Sequence, residues 1–133
     1  MKPYLLLVED DEAASYLTLK ALGRSPFSAK VIRVRDGAEA VQYLLSYTPK
    51  PALILLDLKL PKLSGIEVLE KIRSTADLTS IPVVVLTASD LAQDRANTYA
   101  LGISRYIVKP MDFCELVSEM AEVTRMFDTL SQR

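Results

Sequence analysis

Five residues of this chain are of types that could do chemistry together: Glu9, Asp10, Asp57, Thr87 and Lys109. Each sits at the end of an apolar run. Glu9-Asp10 follow Tyr4–Val8, Asp57 follows Ala52–Leu56, Thr87 follows Ile81–Leu86, and Lys109 follows Ser104–Val108. Any one of them has an ordinary structural role, because a strand must end in something polar, and Asp57 alone reads as a strand-ending or helix-capping aspartate. The set is harder to dismiss. Two carboxylates about 4 Å apart repel by roughly 4 kcal/mol at an effective dielectric near 20, and such a cluster is relieved by protonation or by a hard divalent cation. The chain has no histidine and one cysteine, so the donors are oxygens, which suit Mg²⁺, with Mn²⁺ able to substitute. A nearby ammonium and a hydroxyl are groups that hold phosphoryl oxygens. A carboxylate nucleophile, a divalent ion, a cation and a hydroxyl make a phosphoryl-transfer site, in which placement and charge neutralisation supply most of the catalysis.

Convergence of these residues depends on the elements that carry them. Tyr4–Val8, Ala52–Leu56 and Ile81–Leu86 are nearly continuous apolar runs, the pattern of strands buried on both faces. Lys30–Arg35 alternates and reads as a half-exposed edge strand, and Ser104–Val108 as a fifth strand. Helices are predicted from Glu12 to Leu22, with Ala14, Leu17 and Ala21 facing inward and Gly23 as stop. Others are predicted from Ala38 to Ser46 behind an Asp36 cap, with Ala40, Val41, Leu44 and Leu45 inside, and from a Ser64 cap to Thr75, with Ile66, Leu69 and Ile72 inside. Ser64 and Glu67 have capping-box spacing. The last two helices are predicted from Leu91 to Leu101, with Gly102 as C′ residue, and from Asp112 to Phe127, leaving residues 128–133 as a frayed tail. Five β-α units imply an α/β doubly wound fold: a parallel sheet with helices on both faces, whose strand C-terminal ends lie along one edge.

Composition narrows the rest. At 133 residues, half of them apolar and a quarter charged, the chain fits one globular domain spanning residues 1–133. A net charge of −1 gives no pull toward nucleic acid or an anionic membrane. No apolar run approaches the roughly 18 residues of a membrane span, and the apolar start ends in three acids within eleven residues, which disqualifies it as a signal peptide. The lone Cys114 excludes an internal disulfide and suits a reducing compartment, so a cytoplasmic location is expected.

Taken in order, Leu7-Val8-Glu9-Asp10-Asp11, then Asp57 with Pro61 and Gly65, then Leu86-Thr87-Ala88, then Tyr106-Ile107-Val108-Lys109-Pro110 resemble the receiver domains of bacterial two-component response regulators. The resemblance covers essentially the whole chain. It implies a flavodoxin-like (βα)5 fold with strand order 2-1-3-4-5, and a switch without activity beyond its own phosphoryl transfer and slow autodephosphorylation. It implies that Asp57 accepts a phosphoryl group from a sensor histidine kinase or a histidine phosphotransfer protein. Asp10, Asp57 and the main-chain carbonyl of Lys59 would ligate Mg²⁺, and Glu9 would act mainly through water. Thr87 and Lys109 would contact phosphoryl oxygens, and Lys109-Pro110 would be a cis peptide. Thr87 and Tyr106 would move on phosphorylation and alter the face of helix four, strand five and helix five for a downstream protein. With nothing after the last helix, output is expected to pass through protein contact. Lys59 and Ser64 depart from common versions of the pattern, and Lys59 and Ser89 occupy positions that tune dephosphorylation in the family. The segments Thr75–Ser80 and Leu86–Asp90 look most like stand-alone receivers paired with phytochrome-type or other sensor kinases.

Other chemistries on such a sheet fit less well. A flavin carrier needs a Ser/Thr/Gly-rich phosphate loop after strand one, where this chain is acidic. Aspartyl-phosphate hydrolases usually have a second aspartate two residues on, where Lys59 stands. A receiver that binds partners without being phosphorylated would not need every chemical position. Tyr106 alone reads as a partly buried aromatic whose hydroxyl reaches the surface. On the last helix Phe113, Leu116, Val117, Met120, Val123 and Phe127 form a broad apolar arc. It is read either as a wide core face or as a homodimer seam, since the spacing is heptad-like.

Overall fold

A computed structural model describes residues 2–25 and 29–131. Strands and helices alternate: β1 (Tyr4–Val8), α1 (Glu12–Leu22), β2 (Lys30–Val34), α2 (Gly37–Ser46), β3 (Leu53–Leu56), α3 (Gly65–Ser74), β4 (Val83–Thr87), α4 (Ala92–Ala100), β5 (Arg105–Val108) and α5 (Phe113–Ser131). All pairings are parallel and the sheet order is β2-β1-β3-β4-β5. The expected doubly wound architecture is therefore present, with boundaries shifted by a residue or two except at the end of α5.

The continuous apolar runs make sense because side chains on both faces of the central strands are covered. Leu53 and Leu55 of β3 pack with Leu5, Leu7, Val84 and Leu86 under α1 and α5. Ile54 and Leu56 alternate to the other face, with Leu6, Val8, Val83 and Val85 under α2 and α3. The expected strands end where expected, which brings their polar termini to one edge.

Three inner faces differ from their predicted stripes. In α1 the buried positions are Ser15, Thr18, Ala21 and Leu22, while Leu17 is exposed. In α2 Leu45 faces solvent, and in α3 Val68 is buried with Leu69 and Ile72. The small inner residues of α1 have a consequence for α5. They leave much of the shared sheet face bare, and the arc of α5 fills it: Leu116, Met120, Val123 and Phe127 are buried there, with Phe113 and Val117 partly so. Those four are core residues, which corrects the dimer-seam alternative for them, while Phe113 and Val117 stay partly uncovered. The frayed tail is corrected as well. No breaker follows Phe127, Leu130 still packs on the core, and the helix runs to Ser131; residues 132 and 133 lie outside the described residues.

Helix starts are capped as the sequence predicts. Ser64 and Glu67 form the reciprocal capping box of α3, and the Asp36 carboxylate accepts from the Glu39 N–H at 2.7 Å at the start of α2. That hydrogen bond holds the Asp36 pKa below its ordinary 3.8; burial opposes it, and Lys62 adds to the lowering. A depressed carboxylate contributes stability that is present above its unfolded pKa and is lost as pH falls through its folded one. Asp36→Ala should therefore melt lower than the wild type near pH 7, and the gap should close as pH drops below about 3.8. Thermal melts across that range check it.

Candidate functional site

Asp57 follows the last residue of β3, and its N–H continues the ladder by donating to the Val8 carbonyl at 3.1 Å. This fixes the carboxylate beside the end of β1. Gly65 closes the loop behind it. A Cβ on Gly65 would fall 2.3 Å from the Asp57 carbonyl oxygen and 2.5 Å from the Leu58 Cα, so only glycine lets the α3 start approach this closely. The Gly65 N–H donates to the Leu58 carbonyl at 2.9 Å, and the Lys59 N–H to Asp57 Oδ1 at 3.2 Å.

Lys109, just past β5, is held by its N–H, which donates to the Thr87 carbonyl at 2.7 Å. Its ammonium reaches across the end of β4 to Glu9 Oε1 at 2.7 Å and Asp57 Oδ2 at 2.9 Å. Glu9 and Asp57 are both buried. Burial pushes the Glu9 carboxyl above the usual range; the Lys109 hydrogen bond opposes this, and the neighbouring Asp57 charge adds to it. For Lys109 burial acts downward, yet the hydrogen bonds and charges of the two acids outweigh it and hold the ammonium above its ordinary range. The ammonium therefore stays charged and partly neutralises the acids.

Glu9, Asp10 and Asp57 each place a carboxylate oxygen within 4.8 Å of the others'. One ammonium does not offset three acids, and Asp10 is exposed, with no ion-pair partner among the described residues. Hard oxygen donors with a residual negative charge fit a hard divalent cation. Thr87 is fully buried at the end of β4, and its Oγ1 accepts from the Ser89 N–H at 3.4 Å. The residues expected at this edge are thus gathered there.

Two expectations at the site need correction. Lys109-Pro110 is trans; the cis bond among the described residues is Thr48-Pro49. An X–Pro bond prefers trans by only about 0.5–1 kcal/mol, so a Lys-Pro motif does not dictate its isomer. Tyr106 does not send its hydroxyl to the surface. It is buried at 7% exposure, and the hydroxyl donates to the Ser89 carbonyl at 2.8 Å. Burial raises its pKa accordingly. The Arg95 guanidinium covers the ring 4.6 Å from its centroid and pairs with Asp90. The sequence placed Tyr106 in β5 but gave no sign that an arginine from α4 would roof it.

The family model of the response regulator receiver domain matches residues 5–121. The chain belongs to this family. As a receiver domain of two-component signalling it is similar to the response regulator Rcp1 of Synechocystis sp., with 41% identity over 117 residues, covering 84% of this chain and 80% of Rcp1. The structure of the phosphorylated cyanobacterial phytochrome response regulator RcpA matches with a TM-score of 0.88 at 37% identity, covering 96% of this chain and 94% of RcpA. The Mn²⁺-bound form of Rcp1 matches with a TM-score of 0.84 at 38% identity, covering 91% of each chain. None of the described helices is long and apolar enough to cross a membrane.

Proposed function

We propose that Asp57 is the phosphoryl acceptor of this receiver domain, and that the donor is a phosphohistidine on a sensor kinase or a histidine phosphotransfer protein. The observation that carries this is the Lys109 ammonium bonded at once to Glu9 and Asp57, with Asp10 and Thr87 on the flanking strand ends. Glu9, Asp10, Asp57 and the main-chain carbonyl of Lys59 are the groups that would hold Mg²⁺. A divalent ion there would neutralise the acids and stabilise charge on the phosphoryl oxygens.

An Asp57 carboxylate oxygen forms the new P–O bond as the P–N bond of the phosphohistidine breaks. The electron pair of that bond leaves on the imidazole nitrogen. Lys109 keeps its ammonium charged throughout and supplies donors to phosphoryl oxygens, so no residue of this chain has to give up a proton. The Thr87 hydroxyl donates to the same oxygens, which requires its β4–α4 loop to adjust. Ser89 and Tyr106 are coupled to that loop by hydrogen bonds, so the adjustment is passed to the face of α4, β5 and α5, where a downstream protein reads it.

The test is incubation with Mg²⁺ and acetyl phosphate, followed by intact-mass measurement. Wild-type protein should gain one phosphoryl group and Asp57→Asn none. Equal gain by Asp57→Asn would overturn the acceptor assignment. Failure of both to gain mass, and of the wild type to bind beryllofluoride, would mean a receiver that works without phosphorylation.

A further inference from the structure

Asp10 lies in a stretch of chain that is gripped from β2 by a residue with no part in the phosphoryl chemistry. Arg33 sits in β2 opposite Leu7 of β1. Its Nε donates to the Glu9 main-chain carbonyl at 3.0 Å, and its Nη1 donates to Glu12 Oε1 at 3.1 Å. One planar guanidinium therefore holds the chain on both sides of Asp10. The Glu9 N–H is also taken, by the Val34 carbonyl at 3.1 Å, so both backbone groups of Glu9 are tied to β2. On the far side Asp11 is fixed as the cap of α1, accepting from the Ala14 N–H at 3.1 Å and donating its own N–H to Glu9 Oε2 at 3.3 Å. The Arg33 side chain is 15% exposed against 68% for Glu12, so it acts as a part-buried post and not as a loose surface pair.

We propose that Arg33 is a positioning residue for the divalent-cation site. It pre-sets the β1–α1 loop so that the Asp10 carboxylate meets Glu9 and Asp57 without reorganisation, and it does so without touching the ion. The proposal rests on the assignment of Asp10 as a cation ligand. The task needs arginine's rigid fork, which presents two directed donors, whereas a lysine ammonium is a single point on a flexible stem. Charge alone would act in the opposite sense, because a guanidinium near the acids repels a divalent cation. The two effects thus predict opposite signs when Arg33 is replaced.

Mn²⁺ titration, following free Mn²⁺ by electron paramagnetic resonance, separates them. Arg33→Gln should weaken Mn²⁺ binding about tenfold, the usual scale for losing a group that orients metal ligands, and Arg33→Lys should weaken it as well despite keeping the charge. Metal-free thermal melts report folding of each variant. Tighter or unchanged binding by folded Arg33→Gln overturns the proposal. Glu12→Ala, at an exposed position, provides a second route: it should weaken binding, and the Arg33→Gln/Glu12→Ala pair should be no weaker than Arg33→Gln alone. Additive losses would show that Glu12, which also pairs with Arg35, acts independently of Arg33, and would overturn it too. Asp10→Asn is the control, since wild-type affinity in that variant would remove the ligand assignment itself while leaving the Arg33 comparison interpretable.

Discussion

Lys109→Met should bind a divalent cation more tightly than the wild type yet take up a phosphoryl group on the order of a hundredfold more slowly, the usual scale for losing one preorganised donor to a developing oxyanion. The two effects have opposite signs because, on the proposed assignment, Lys109 does two jobs with one ammonium. Before phosphorylation it is the counter-ion of buried Glu9 and Asp57, at 2.7 and 2.9 Å, and so competes with a metal for the same acids. During transfer it must hold phosphoryl oxygens, which methionine cannot do. Mn²⁺ titration and time-resolved intact mass with acetyl phosphate read the two effects separately. Phosphoryl uptake at the wild-type rate would show that Lys109 is only a counter-ion.

The same variant has a pH signature without metal. In the wild type the Lys109 hydrogen bond lowers the Glu9 pKa against burial and the Asp57 charge, which raise it. Without Lys109 the lowering contribution is gone, so the folded state holds the Glu9 proton to higher pH. A carboxyl raised in the folded state binds more protons there than in the unfolded chain, so stability falls as pH rises through that window. Metal-free Lys109→Met should accordingly gain more from acidification than the wild type, and Mg²⁺ should restore more of its thermal stability.

What the sequence made legible is what depends on chain direction and strand ends. A parallel sheet puts every strand C-terminus at one edge, so identifying four apolar runs was enough to bring Glu9, Asp10, Asp57, Thr87 and Lys109 together. Caps were legible for the same local reason: Asp36 and Ser64 bond to N–H groups three residues on. Helix faces were less so. Leu17 of α1 faces solvent while Ser15 and Thr18 face the sheet, because what matters is the space between α1 and α5, and apolarity alone does not encode it. Contacts between distant residues that do not share the strand ends were not legible. Arg33 meets Glu9 across 24 positions, and Arg95 meets Tyr106 only through the fold. Arg33 was one of three basic residues in a stretch read as a half-exposed edge strand, and nothing marked it out from Lys30 and Arg35.

Phe127→Ala should cost about 3–5 kcal/mol of stability, the range for a buried aromatic replaced by alanine in a core that cannot collapse around it. Phe127 is 2% exposed and lies in the cluster of Leu5, Leu53, Met120 and Val123. The neighbouring helix α1 has little bulk of its own to fill the gap, because three of its four buried positions are Ser15, Thr18 and Ala21. Urea unfolding should show the midpoint falling with the slope retained, and the loss should not depend on protein concentration. A dimer seam would behave otherwise: folded-state stability would rise with concentration in the wild type, and the substitution would abolish that dependence. Concentration-dependent unfolding of the wild type, lost in Phe127→Ala, would mean that α5 also serves a second chain. The site should be untouched, since Phe127 packs in the core between α5 and the sheet while Asp57, the proposed acceptor, stands at the sheet edge. Where Phe127→Ala remains folded, it should accept a phosphoryl group at the wild-type rate. The variant thus separates what holds this fold together from what the strand ends do with it.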